Sequence, residues 1–311
     1  MNSLPTGEIK PRRTVPWQGR SLLLWVCIGG LLTWMYGARG NTEEVTQAGR
    51  SAMAWMTREW NTRGGEYSHG WLIPLVSALA IWRRRRELAE LPRHATWTGV
   101  VVVASALLLY AAGVKIQQTR IVLVSLVPLV WGIALGAWGW SIARRLLFPC
   151  GYLLFCVPLV FIEALTFPLR LLASRVAEIL LNGMGIAVTR AGTALLSAAG
   201  GGINIDVADP CSGMHSLMAM AALGAAYAYF TQPSQTGKWL LFLGSLPIAI
   251  AGNVTRVISI ALAAAWFGQE RAMVFYHDFS GYVLFGAAVM LMMGLATVLN
   301  RWLARKKGSH A

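Results

Sequence analysis

A chain of 311 residues with 56% hydrophobic and only 13% charged residues departs from a soluble domain of its size, in which about a quarter of residues are charged. Mean hydropathy is +0.54, so the bulk of the chain belongs in lipid or in an unusually large core. The net charge of +14 sits at the ends of apolar runs, which is the pattern of membrane topology signals and argues against a nucleic-acid groove.

In chain order, Lys10, Arg12, Arg13 and Arg20 precede an apolar run over 21–36, which reads as an uncleaved span or anchor. Eight spans are predicted, at roughly 21–37, 67–82, 97–114, 121–143, 146–165, 211–231, 238–258 and 279–299. The fold class expected is an all-α polytopic membrane protein. Residues 1–20 are expected to form a cytoplasmic tail, 21–299 a single transmembrane domain and 300–311 a basic cytoplasmic tail, and no long appended domain is expected after 299. Basic residues cluster after alternate spans: Arg83 to Arg86, Arg144 and Arg145, Lys238, and Arg301 to Lys307. With the amino terminus cytoplasmic, 16 Lys and Arg face three acids on that side, against 11 and ten on the other. The positive-inside pattern therefore places both termini in the cytoplasm of a multi-pass inner-membrane protein. The stretch 239–267 is too long for one simple span and too short for two. One long or broken helix is expected there, with Gly252 and Asn253 as the place for a break.

Two outward segments are long. Residues 38–66 carry Trp55, Met53 and Met56 and suggest an interfacial helix. In 166–210, polar Arg170, Ser174, Glu178 and Asn182 recur four apart among Leu and Val. That spacing predicts an amphipathic helix lying on the membrane and started by Pro168. Glycines then lead into alternating Ile203, Ile205 and Val207, which predict short β-strands or a hairpin.

Of four cysteines, Cys27, Cys150 and Cys156 lie inside apolar runs, where a thiol behaves as a small hydrophobe. No spacing suggests zinc, HExxH and GxSxG are absent, and neither metal nor cofactor is expected. Cys211 differs. Asp209 and Pro210 form an N-cap and first-turn signature, so Cys211 falls in the first turn of the sixth span. Free N–H groups and the helix dipole stabilise a thiolate there, the form that transfers acyl groups. Arg256, inside an apolar stretch, either meets an anion or a watery cavity or snorkels to the outer headgroups. His277 is placed outside, just before the last span, where a histidine serves as base and acid near neutral pH. Asp278 beside it is expected to cap that span. His69 stands at the outer start of the second span, and His215 lies one turn after Cys211 on the same helix face. Cys211, Arg256 and His277 come from three spans yet share the outer side, where Arg256 could bind a carboxylate or an oxyanion.

At these residues the chain resembles the exosortase/archaeosortase family. The matching pieces are Ser68-His-Gly with the basic run after Trp82, Phe148-Pro149 to Pro158, Cys211-Ser-Gly, Asn253-Val-Thr-Arg256, and His277-Asp with Gly281. They occur in the family's order over about 66–299. The resemblance implies cleavage of exported proteins at a C-terminal signal made of a short motif, a transmembrane helix and a basic tail. Cys211 would attack the scissile carbonyl to give a thioester, His277 would move protons and Arg256 would position the substrate or the oxyanion. One departure is His215, where the family often has Arg or Asn, and it leaves His215 and His277 as rival bases. Partners are then such exported proteins and membrane lipid, with no nucleic acid and an open oligomeric state. A transporter or assembly factor for surface polysaccharide or lipid is the alternative, with Arg256 on an anionic headgroup.

Overall fold

A computed structural model of the chain describes residues 18–43, 49–62, 67–158, 160–197, 204–206 and 214–308. It is mostly helical. Helix α1 (Gln18–Leu32) passes into a π-helical turn, Thr33–Ala38, and α2 spans Ala52–Asn61. A 3-10 turn, Ser68–Trp71, leads into α3 (Leu72–Arg83), followed by the short α4 (Arg85–Glu90). Next come α5 (Trp97–Lys115), α6 (Thr119–Trp138) and α7 (Trp140–Tyr152), the last closed by a 3-10 turn, Leu153–Cys156. Helix α8 (Val160–Gly183) precedes strands β1 (Val188–Ala191), β2 (Ala194–Ser197) and β3 (Asn204–Asp206). Three helices complete the chain: α9 (Met214–Thr231), α10 (Gln235–Phe267) and α11 (Gln269–Gly308).

Among the described residues, four helical stretches are long and apolar enough to cross a membrane: Trp97–Lys115, Thr119–Trp138, Gln235–Phe267 and Gly286–Leu303. Leu23–Ala38 and Met218–Thr231 are shorter apolar helical stretches. Helices α5 and α6 pack backbone to backbone: a Cβ on Gly99 would collide with Gly136, as expected where small residues let membrane helices approach. Ser77 Oγ, on α3, donates to the Pro149 carbonyl of α7 at 2.7 Å.

Basic residues gather at one end. Arg145 pairs with Glu87 at 2.9 Å. Arg84 and Lys238 lie over the Tyr229 ring and Arg83 over Phe230. At the opposite end, the loop before α2 is fastened to the start of α6. Glu43 accepts the Thr119 N–H at 3.1 Å and pairs with Arg120 at 3.0 Å, while Asn41 accepts from the Thr119 hydroxyl. A carboxylate at a helix amino terminus meets the unpaired N–H groups and the positive end of the dipole.

Several expected boundaries move. The run taken as 146–165 is interrupted: α7 stops at Tyr152, and the chain bends through the 3-10 turn before α8 begins at Val160. Gly139, at φ +82°, separates α6 from α7, a left-handed conformation that only glycine adopts freely. Pro168 does not start α8 but sits inside it. A proline removes one intrahelical hydrogen bond, and neighbouring helices in a membrane protein make good the loss. Gly252 and Asn253 make no break, because α10 is a single 33-residue helix. Its far part is held by packing: Val257, Ile260, Ala261 and Ala264 are buried against Ala177, Leu181, Val188 and Leu195 of α8 and the sheet. Tertiary contact outweighs a local breaker signal worth about 1 kcal/mol.

The three-stranded sheet has order β1-β2-β3, antiparallel throughout, with Ala191 opposite Ala194 and Leu195 opposite Ile205. Its turn is Gly192-Thr193. The polar stripe of α8, expected to face water, instead grips this sheet. Ser174 is fully buried and donates to the Arg170 and Thr193 carbonyls. Asn182 bonds both the N–H and the C=O of Val188, and Glu178 accepts from the Arg190 N–H. Phe167, Leu172, Ile179 and Leu180 are exposed apolar side chains of the same helix.

Candidate functional site

Helix α10 is the spine of the site. It runs antiparallel to α9, with Gly224 against Ser245, and to α11, with Gly244 against Leu295. Met220, Ala249 and Ala288 share one buried cluster among the three helices. One turn beyond Ala249 comes Asn253, 4% exposed, and after it Arg256, half-buried. Three residues apart, the two side chains share a face of the helix. Asn253 Oδ1 and Arg256 Nε are both buried and have no hydrogen-bond partner among the described residues. A buried polar atom without a partner costs about 1–3 kcal/mol, which makes this polar face a candidate binding surface.

Cys211 lies outside the described residues. His215 belongs to the first turn of α9, and His277 and Asp278 to α11 by backbone, while their side chains lie outside the described residues. Asp278 is not the cap of its helix: α11 begins at Gln269, which leaves Asp278 well inside it. The chain reverses direction instead at Gly268, φ +82°, so the apolar run that suggested the span 279–299 marks only part of a longer helix.

His69 lies in the 3-10 turn that opens α3, half-buried, with its ring 6.0 Å from that of Tyr67. The neighbouring Gly70 is there for space, since a Cβ would run into the indole of Trp60. Trp60 is 6% exposed; its Nε1 donates to the Cys156 carbonyl at 2.8 Å and its ring meets Trp71 edge-on. Trp60 therefore ties α2, the Ser68–Trp71 turn and the end of α7 together at the end of the molecule opposite the basic cluster. Sequence reasoning did not single out Trp60. The signal was present in Ala52, Trp55, Met56 and Trp60, which follow the i, i+3, i+4, i+8 period of a buried helix face and are all buried in α2. Cys150 and Cys156 are buried and Cys27 is exposed on α1.

These features define a polytopic helical membrane protein with a buried polar pair, without partners among the described residues, on its longest apolar helix. The sequence profile of the transmembrane exosortase family matches residues 60–294, and the chain belongs to that family. No curated protein and no solved structure matches it. The family implies a membrane transpeptidase or protease acting on exported proteins that carry C-terminal sorting signals.

Proposed function

We propose that this chain is a cysteine transpeptidase or endopeptidase acting at the outer face of the inner membrane. The Cys211 thiolate attacks the scissile carbonyl of the sorting signal and forms a C–S bond. Arg256 orients the substrate or faces the oxyanion of the tetrahedral intermediate. A histidinium, His277 in preference to its rival His215, gives its proton to the leaving amine as the C–N bond breaks. The resulting thioester passes its acyl group to water or to an acceptor amine.

The observation that carries this reading is the enclosed Arg256 Nε beside Asn253, without a partner among the described residues, in a chain of this family. Arg256 is half-buried and shares its helix face with the buried Asn253, so its charge lies beside the protein and not wholly in lipid. The antiparallel packing supports it too, because the far half of α10 runs alongside the starts of α9 and α11, the helices that carry His215 and His277. Eight crossings follow if α1, α3, α7 and α9 cross with the four longer helices, and the gathered basic end is then cytoplasmic.

The test is processing of a co-expressed, tagged protein ending in a sorting signal. Cys211→Ala and Arg256→Ala are each expected to stop cleavage, by about a hundredfold or more. Cleavage that survives Cys211→Ala overturns the nucleophile. A chain that works with Cys211→Ser but not with Arg256→Ala is a carrier or assembly factor, not this enzyme.

A further inference from the structure

At the end opposite Asn253 and Arg256, a cavity of about 580 Å³ opens between α1, the α3–α4 junction, α6 and α7. Its walls are apolar, with Trp25, Ile81, Ile133 and Leu146 facing in from those four elements. Two cations, Arg85 and Arg93, also line it, and both are exposed. Arg85 is held in place: its guanidinium stacks over the Trp82 ring at 4.2 Å and donates to the Trp82 carbonyl at 2.9 Å. Glu87, the acid nearest Arg85 in sequence, is engaged by Arg145, and Glu90 is the acid nearest Arg93.

We propose that this cavity holds an acyl chain of an anionic phospholipid whose phosphate pairs with Arg85 and Arg93. The volume lies within the roughly 300–1,000 Å³ of sites that bury one small apolar ligand. Apolar walls with a basic mouth are what a lipid of this kind demands, and basic pockets between membrane helices recur as anionic-lipid sites. Charge decides against the other apolar candidate. A sorting signal whose helix ends in a basic tail, as the family resemblance implies, would be repelled by Arg93 and the Arg83–Arg86 run. A zwitterionic lipid brings no net charge to the same two cations.

The experiment uses the full chain in detergent, stripped of lipid and titrated with phosphatidylglycerol or phosphatidylcholine, with bound lipid counted by intact-complex mass spectrometry. Phosphatidylglycerol is expected to bind about tenfold more tightly. The Arg85→Gln/Arg93→Gln pair removes that preference. Ala89→Phe, at a wall position that is exposed and not in the core, reduces uptake of both lipids while leaving unfolding without lipid unchanged. Glycerol phosphate, a headgroup without a chain, does not compete. Equal binding of the two lipids, a preference that survives the double substitution, or competition by glycerol phosphate overturns the proposal. So does a photocrosslinker at position 133 that captures a co-expressed sorting-signal helix in place of lipid.

Discussion

Two motif glycines have opposite reasons to exist. Gly70 faces the Trp60 indole with no room for a methyl group, while Gly252 has open space around its Cβ position in the middle of α10. Gly70→Ala must push Trp60 off the Cys156 carbonyl or strain the turn, which predicts a loss of about 1–3 kcal/mol. Gly252→Ala replaces the poorest ordinary helix former with the best and predicts a gain of about 0.5–1 kcal/mol. Thermal unfolding of the two variants in the same detergent separates them, and a destabilising Gly252→Ala would show that a backbone break at 252 matters after all. From sequence Gly252 read as a place for a break and Gly70 as part of the Ser68-His-Gly motif. Only the neighbouring indole of Trp60, ten residues earlier and on another helix, shows that Gly70 is a matter of space.

At the level of elements, periodicity was informative and polarity was misleading. The four-residue repeat of Arg170, Ser174, Glu178 and Asn182 correctly marked a helix, but polar residues do not identify the wet face of a helix that has a sheet against it. Here they satisfy an edge strand: Asn182 and Glu178 occupy the outward N–H groups of Val188 and Arg190, which would otherwise be left open. Local end signals were an uneven guide, since Pro168 and Asp278 both lie inside their helices. Ser51, whose hydroxyl accepts the Ala54 N–H, starts α2; in α10 the residues of 239–267 allowed one long or broken helix, and the unbroken one packs its far part against α8 and the strands. The clamp yields a prediction. Asn182→Ala leaves both backbone groups of Val188 without their partner and costs about 1–3 kcal/mol, whereas Ile179→Ala, at an exposed position, leaves water-phase stability nearly unchanged. Limited proteolysis within 184–206 measures this: cleavage speeds up in Asn182→Ala and stays at the parent rate in Ile179→Ala, and equal rates in all three would remove the clamp.

For the whole molecule, the length of α10 links topology to the site. Thirty-three residues at 1.5 Å each make a helix of about 50 Å, against a hydrocarbon layer of about 30 Å. Lys238 sits within the basic cluster at one end, and roughly 20 residues on from it the helix has used up the hydrocarbon thickness. Arg256 then falls near the far interface, and Val257 to Ala264 continue beyond it against α8 and the sheet. In this arrangement an arginine can remain partly enclosed without facing lipid, and a sorting signal can present its peptide bond just outside its own transmembrane helix. The arrangement requires the Gly192-Thr193 turn to be external and the end of α11 internal. A phosphatase that is active only outside the cytoplasm should therefore work when inserted between Gly192 and Thr193 and fail when fused after Gly308. A fluorescent protein that folds only in the cytoplasm should do the reverse. If both reporters place the two points on one side, α10 cannot join the cytoplasmic cluster to an external site, and the assignment of Arg256 to outward-facing chemistry fails with it.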